Sequence, residues 1–248
     1  MRFGLYFEGR ESCYDDGKTR ERFISFLKKT FEHSDLDYYK VLFDRKSWKP
    51  YVFSPFFGKD FAKYGKIGPR ISIIFSSGDK EALINFWNGI FKLKQIKEDY
   101  IRIQDISFFL VQTKFFHPEK IKERKVLFET VGVCVMTDPT QPASNFDLWY
   151  VTPNDLERFN RAFYERTKQR YENIKGAKFP ESELYLEPCE IKEVVVDGVG
   201  GKVKGFKGKF YIVGEPEILQ FLYDFGLGVR TGQGFGLIDV VRKSQKYS

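Results

Sequence analysis

Near the end of the chain the sequence reads Phe225-Gly-Leu-Gly-Val-Arg-Thr-Gly-Gln-Gly-Phe-Gly-Leu-Ile238. Two Gly-hydrophobic-Gly pairs flank a single arginine, Arg230; their glycines are Gly226 and Gly228, then Gly234 and Gly236. Clustered glycines indicate positive φ angles or a close approach of the backbone to another group. The question is therefore what this backbone approaches.

The direction of the chain through this loop excludes the common nucleotide-binding loops. Residues 215–225 have the apolar spacing of a helix, and residues 235–241 have the pattern of a strand. A dinucleotide-binding loop instead follows a strand and opens a helix, with the spacing Gly-x-Gly-x-x-Gly, and a P-loop ends in Gly-Lys-Ser/Thr. Neither pattern is present, so we interpret the segment as a helix-to-strand loop.

The glycine pattern resembles that of the RAMP superfamily of CRISPR-associated proteins, and more closely that of the Cas six family. Gly226, Gly228, Gly234 and Gly236 match this motif. The resemblance implies an endoribonuclease that cleaves CRISPR precursor RNA within its repeats. It also implies two ferredoxin-like domains, with RNA along the cleft between them and along one face.

The order of predicted elements independently favours an α+β fold with two tandem ferredoxin-like (βαββαβ) domains. In the first half, strands and helices are predicted at residues 1–8, 20–31, 51–54, 70–75, 79–93 and 101–116, with a short helix or a turn at 35–43. In the second half they are predicted at residues 126–136, 152–173, 183–196, 206–213, 215–225 and 235–241. A charged stretch near Pro118 places the boundary between domains 1–120 and 121–248.

The amino-acid composition limits the classes of partner and cofactor that we expect for this protein. The 248 residues carry a net charge of +7, which suits a polyanion such as RNA. Three widely separated cysteines and two histidines predict no zinc site, no disulfide framework and no cofactor. No apolar run reaches membrane-spanning length, and no secretory signal is recognisable, so we expect a soluble cytoplasmic protein.

The family resemblance directs attention to the segment between the first helix and the next strand. Related enzymes cut RNA without metal: the ribose 2′-OH attacks the adjacent phosphate and leaves 2′,3′-cyclic phosphate and 5′-OH ends. A His, a Tyr and a Lys from this segment often serve in that reaction. Here Lys49 precedes a matching strand, Pro50-Tyr-Val-Phe-Ser54, but no histidine occupies the usual place near residues 42–44. His33 lies about ten residues too early.

Three interpretations follow from the displaced histidine. His33 could reach the site from the end of the helix and act as the base, since imidazole titrates near neutral pH. Alternatively Tyr38 or Tyr39 could act with Lys46 and Lys49, through positioning and charge stabilisation. In the third interpretation the protein binds RNA without cutting it, as a RAMP subunit of a CRISPR effector complex. The catalytic residues predicted from sequence are His33, Tyr39 and Lys49.

A second set of residues is predicted to bind RNA. Residues 198–209 are rich in glycine and lysine, which indicates a basic hairpin, and the spacing of Lys202 and Lys204 puts them on the same face of a strand. Within the glycine-rich loop, a guanidinium could bind phosphate in a bidentate manner. The predicted RNA-binding residues are Lys46, Lys202, Lys204, Lys207, Gly228, Arg230 and Gly234. The predicted partners are CRISPR repeat RNA and its mature crRNA product, with CRISPR effector subunits or a second copy of the chain as further partners. From another class, a ferredoxin-like sensor of small molecules would bind RNA with little salt dependence.

Overall fold

A computed structural model describes residues 1–44 and 47–241. The elements of the first half are β1 (Arg2–Glu8), β2 (Cys13–Tyr14), α1 (Thr19–Ser34), α2 (Leu36–Phe43), β3 (Val52–Phe56), α3 (Phe61–Tyr64), β4 (Lys66–Ile67), β5 (Arg70–Ser76), α4 (Lys80–Gln95), β6 (Tyr100–Ile103) and β7 (Ile106–Phe116). Five of these strands form an antiparallel sheet in the order β3-β5-β1-β7-β6.

The second half repeats this arrangement. Its elements are β8 (Lys125–Thr130), β9 (Met136–Thr137), α5 (Phe146–Trp149), β10 (Tyr150–Val151), α6 (Leu156–Lys175), β11 (Tyr185–Gly198), β12 (Gly201–Val213), α7 (Pro216–Phe225) and β13 (Ile238–Val240). The main sheet has the order β11-β12-β8-β13. In both sheets the first core strand lies between the third and the fourth, which is the ferredoxin-like order. The predicted fold class is confirmed.

The helices α1 and α4 pack closely together over the first sheet. Phe23, Leu27 and Phe31 recur every four residues on α1, and all three are buried. On α4, Asp79 caps the N-terminus by accepting a hydrogen bond from the backbone N–H of Ala82. A Cβ at Gly89 of this helix would lie 1.9 Å from a backbone oxygen of α1, so only glycine permits this helix spacing.

One predicted strand is shorter in the structure. The apolar alternation over residues 126–136 predicts a continuous strand, but β8 ends at Thr130. The chain then passes close to the first sheet, where a Cβ on Gly132 would lie 2.6 Å from the Ser54 hydroxyl oxygen. The carbonyls of Val133 and Val135 instead accept hydrogen bonds from the glycine-rich loop. Contacts distant in sequence therefore override the local pattern.

The basic hairpin is more regular than predicted. A glycine-rich turn was expected between strands at 183–196 and 206–213, but β11 and β12 pair up to Gly198 and Gly201. Lys202, Lys204 and Lys207 consequently lie within a strand. Only Val199 and Gly200 form the tip of the hairpin.

Arginine and serine side chains join the two halves. Buried Arg2 donates hydrogen bonds to the carbonyls of Tyr223 (2.7 Å) and Ile238 (2.6 Å), and it forms an ion pair with Asp239 (3.0 Å). The Ser76 hydroxyl donates to the Asp224 carbonyl. The two main sheets use residues 2–116 and 125–240, while the boundary at 120/121 stays a prediction. Within the described part of the chain, none of the helices combines the length and the apolar character needed to span a bilayer.

Candidate active site

The glycine-rich loop is packed against protein backbone. The N–H of Val229 donates to the carbonyl of Val135 (2.8 Å), and the N–H of Gly236 donates to that of Val133 (2.9 Å). Gly228 is buried with a φ of +82°, and a Cβ there would lie 2.1 Å from the Val135 oxygen. The glycines therefore allow the backbone of the loop to lie close to the backbone of the segment after β8.

Arg20, in the first turn of α1, holds the loop from the other half of the molecule. Its Nη1 donates to the carbonyls of Gly234 (2.9 Å) and Gln233 (3.3 Å), and its guanidinium lies 4.1 Å from the centre of the Phe235 ring. Burial lowers the pKa of Arg20 to about 10, which leaves it charged at neutral pH. Gly234 is buried beside this guanidinium. Packing thus accounts for Gly228 and Gly234, and their contact with RNA stays a prediction.

A second arginine, Arg170 of α6, satisfies the end of α7. Its Nη1 and Nη2 donate to the carbonyls of Gly226 and Phe225, each at 2.7 Å. Burial lowers the pKa of Arg170 to about 9, so the guanidinium remains protonated at neutral pH. A cation at this position also complements the negative end of the helix dipole. Arg170 therefore fixes the backbone of Phe225 and Gly226, the residues that lead into the glycine-rich loop.

Arg230 lies at the surface of the loop and bonds within the protein. It adopts a left-handed backbone with a φ of +60°. Its Nη1 donates to the Val199 carbonyl at the hairpin tip (3.2 Å) and to Gln233 Oε1 (3.1 Å). The guanidinium thus connects the loop to the tip of the hairpin, while its predicted contact with phosphate stays a prediction.

Side chains of the predicted catalytic segment lie around the ring of Phe43, at the end of α2. The Lys28 and Lys49 ammonium groups lie 5.4 and 5.1 Å from the centre of this ring. The Tyr39 ring packs on the same residue, with 5.0 Å between centroids. We call Lys28, Tyr39, Phe43 and Lys49 the Phe43 cluster. Two of the three predicted catalytic residues, Tyr39 and Lys49, therefore lie in one cluster.

Lys49 connects the Phe43 cluster to the glycine-rich loop. Its ammonium donates to the Leu42 carbonyl, and its Cγ would lie 2.7 Å from a Cβ placed on Gly232. Gly232 is the middle residue of a 3₁₀ turn, Thr231–Gln233. Burial, and secondarily the positive charge of Lys28, lower the pKa of Lys49. The structure thus brings a half-buried cation from the first half against the loop of the second.

The contacts described for His33 lie on another side of α1. Its Nδ1 is 2.9 Å from the Lys29 carbonyl oxygen, and Lys29 forms an ion pair with Glu98. Lys28 and His33 are five residues apart, which separates them by roughly 140° around the helix. His33 therefore faces the Lys29–Glu98 side, whereas Lys28 faces the Phe43 cluster.

The remaining predicted residues are dispersed. Tyr38 is half-buried beside Phe31, and burial raises its pKa. Lys46 lies outside the described residues. The hairpin lysines have separate surroundings: Lys202 pairs with Asp197, Lys204 pairs with Asp147, and Lys207 is exposed. In residues 1–44 and 47–241, no group of three or more His, Cys, Asp or Glu is placed to hold a metal ion.

Sequence reasoning missed Lys28, Phe43 and Arg20. For catalysis it considered only residues after the helix predicted at 20–31, whereas Lys28 and Arg20 lie within that range. The short helix α2 lies where a short helix or a turn was predicted, at residues 35–43, and its return against α1 is what brings Phe43 beside Lys28. A helical projection of α1 shows Lys28 on a polar side, but nothing in that pattern indicates which element faces it.

The sequence profile described as "CRISPR associated protein Cas6, C-terminal" matches residues 116–240, half of the chain. The chain belongs to the Cas6 family. Among curated relatives, it is 24% identical over 177 residues to the CRISPR-associated endoribonuclease-like protein Cas6 of Pyrococcus furiosus, covering 70% of this chain and 69% of the relative. It is 21% identical over 175 residues to the protein Cas6nc of Pyrococcus horikoshii, covering 69% of each.

Solved structures have the same fold. A structure titled "Characterization of a Cas6-related gene from Pyrococcus furiosus" matches with a TM-score of 0.81 and 20% identity, covering 98% of this chain and 99% of the other. A structure titled "An RAMP protein binding different RNA substrates" also has a TM-score of 0.81, with 18% identity and coverage of 98% and 100%. At these identities the likeness establishes the fold of a Cas6 protein, while the site residues depend on the geometry described above.

Proposed function

We propose that this Cas6 protein is a metal-independent endoribonuclease that cleaves CRISPR precursor RNA within its repeats. The observation that supports this most directly is the position of Lys49. It lies against the glycine-rich loop that identifies the family, beside a second lysine and a tyrosine. A cationic site of this kind suits the stabilisation of negative charge on a phosphate.

The proposed reaction uses the substrate's own nucleophile. The 2′-oxygen attacks the adjacent phosphorus while its proton is removed, and the bond from phosphorus to the 5′-oxygen breaks. The leaving 5′-oxygen takes up a proton. The products carry a 2′,3′-cyclic phosphate and a 5′-OH, and no water is consumed.

The three polar members of the Phe43 cluster each have a proposed role. The Lys49 ammonium binds a non-bridging phosphate oxygen and stabilises the charge that increases in the transition state. Lys28, whose ammonium lies 5.4 Å from the centre of the Phe43 ring, adds to the positive field around Lys49. The Tyr39 hydroxyl is the candidate for proton transfer at the 2′- or 5′-oxygen.

The experiment that tests the function is cleavage of repeat RNA in EDTA. The expected result is a single cut that leaves a cyclic phosphate, with a repeat carrying 2′-deoxyribose before the scissile phosphate remaining intact. Loss of activity in EDTA, restored by a divalent metal, would contradict metal independence. Binding without any cleavage would instead favour a non-catalytic RAMP subunit, an alternative consistent with the RNA-binding RAMP protein of the same fold.

Replacing Lys28 with methionine should alter the pH dependence of cleavage. Lys49 acts in its protonated form, so activity should fall as the pH rises through its lowered pKa. Because the charge of Lys28 contributes to that lowering, Lys28→Met should raise the pKa of Lys49 and move the alkaline limb to higher pH. Single-turnover rate constants measured between pH 7 and 11 give the midpoint.

Lys29→Met is the matched control for Lys28→Met. It removes the same charge from the adjacent residue, on the side of α1 that faces Glu98. The midpoint should therefore stay at the wild-type pH. A shift of equal size in both variants would indicate a general field of the protein rather than an interaction within the Phe43 cluster.

His33→Ala should leave the single-turnover rate constant within about threefold of wild type. The reason is that the contacts described for His33 are directed away from the Phe43 cluster. Quenched-flow cleavage of repeat RNA by the two proteins checks this. A loss of a hundredfold or more, without loss of RNA affinity, would assign the general base to His33, as the sequence alone predicted.

RNA binding by the hairpin and the loop is proposed to extend from this site. Arg230 connects the hairpin tip to the glycine-rich loop, so phosphates beyond the cleavage position could follow Lys202, Lys204 and Lys207. Association with CRISPR effector subunits, formation of a homodimer and a cytoplasmic location stay predictions.

A further inference from the structure

We propose that Arg20 is a positioning residue that holds the 3₁₀ turn of the glycine-rich loop in place against Lys49. This inference rests on the proposed function, because Lys49 is the residue whose placement would matter for cleavage. Arg20 neither matches the glycine motif nor lies in the segment expected to carry the catalytic residues.

The geometry connects Arg20 to Lys49 through one turn of backbone. The Arg20 Nη1 contacts the carbonyls of Gln233 and Gly234, at the end of the turn. Gly232, one residue earlier, is the position against which the Lys49 side chain packs. Arg20 therefore bonds to one end of the turn, and Lys49 contacts the middle residue of the turn. Removing the two Arg20 hydrogen bonds should displace Gly232, against which the Lys49 side chain packs.

The contacts of Arg20 favour positioning over phosphate binding. Its described hydrogen bonds go to backbone carbonyls, and its flat face is covered by the Phe235 ring at 4.1 Å. A guanidinium that binds phosphate instead directs its N–H groups outward as a fork. Because Arg20 belongs to α1, which also carries Lys28, a single helix fixes both the Phe43 cluster and the loop.

Arg2 offers a matched control within the same chain. Like Arg20, it donates to two backbone carbonyls of the second half and lies over an aromatic ring, that of Tyr223 at 3.6 Å. Arg2 is buried, whereas Arg20 is half-buried. The carbonyl partners of Arg2, however, belong to Tyr223 and Ile238, outside the 3₁₀ turn. Losing Arg2 should therefore loosen the junction of the halves without directly releasing the turn.

The test compares Arg20→Met, Arg20→Lys and Arg2→Met at a temperature where all three are folded by circular dichroism. For Arg20→Met we expect the single-turnover rate constant to fall by about 10- to 100-fold, in line with the cost of small displacements of reacting groups. The Kd for repeat RNA should stay within about threefold of wild type. Arg20→Lys should recover to within about fivefold, because one nitrogen makes both carbonyl bonds and an ammonium can replace it. Arg2→Met should stay within about threefold.

A second readout separates this inference from the proposed function. Lysines are dimethylated with ¹³C, and the NMR signal of Lys49 is assigned from its absence in Lys49→Arg. Arg20→Met should shift this signal, whereas Arg2→Met should leave it in place, whether or not the protein cleaves RNA. A wild-type protein that does not cut repeat RNA would refute the proposed function, and the NMR comparison would still decide the role of Arg20.

Three results would overturn the inference. The first is an unchanged rate constant and an unchanged Lys49 signal in Arg20→Met. The second is a weakened RNA affinity in which the slope of log K against log salt decreases in magnitude by about one, since that loss indicates a direct phosphate contact. The third is an equal effect in Arg20→Met and Arg2→Met, which would make Arg20 a general stabilising contact.

Discussion

Lys49→Ala is expected to lower the single-turnover rate constant for repeat cleavage by about 10²- to 10³-fold, the usual cost of removing one group that stabilises transition-state charge. Lys49 is half-buried, bonded to the Leu42 carbonyl and packed against Gly232, so its ammonium is held in a defined place. A fixed cation stabilises the transition state without first having to be ordered. The measurement is quenched-flow cleavage with enzyme in excess over RNA.

Two companion variants make the Lys49 result specific. Lys94→Ala removes a lysine from the exposed surface of α4 and should leave the rate constant unchanged. Lys49→Arg keeps the charge on a longer, planar group and should fall between wild type and Lys49→Ala. If Lys49→Ala cut RNA within threefold of the wild-type rate, the proposal that the Phe43 cluster is the active site would be wrong.

Gly228→Ala is expected to destabilise the protein by about 3 kcal/mol or more, because left-handed strain of about 1 kcal/mol is combined with a steric clash. The added Cβ would lie 2.1 Å from the Val135 oxygen, and that oxygen belongs to backbone already bonded to Val229. Neither chain can withdraw without breaking this hydrogen bond. Urea denaturation followed by tryptophan fluorescence measures the free energy of unfolding.

Gly200→Ala separates the clash from the backbone strain. Gly200 has the same φ of +82° as Gly228, but no atom lies within 4 Å of its hypothetical Cβ. It should therefore cost only about 1 kcal/mol, the strain of an alanine in the left-handed region. Equal losses in the two variants would mean that the loop yields to the added methyl group, and that close backbone approach is not what requires glycine at 228.

The fold was predictable because local patterns and tertiary structure agree over most of the chain. Phe23, Leu27 and Phe31 mark the buried side of α1 in the sequence alone, and Asp35 caps α2 where a short helix or a turn was predicted. One exception is the strand predicted at 126–136. There the carbonyls of Val133 and Val135 are taken by the glycine-rich loop, a pairing that no local pattern encodes.

The candidate site was only partly predictable. Lys49 and Tyr39 were found because the family resemblance points to a short segment. Lys28 and Arg20 were missed because their neighbours are brought to them by α2 and by the loop after α7, through contacts distant in sequence. His33 lies in the predicted segment, but its described contact is on another side of α1, and its catalytic role stays a prediction.

The hydrogen bond from Arg20 to the Gln233 carbonyl joins two residues that are 213 positions apart in the sequence. Proteins are synthesised from the N-terminus, and domains can fold as they emerge. The residues of the first half, Lys49 included, are therefore synthesised before the turn that is proposed to support Lys49. A ribosome-bound fragment ending before that turn would hold the proposed catalytic segment without the turn that supports Lys49. Competence to cut RNA would then arise only after that turn has been translated.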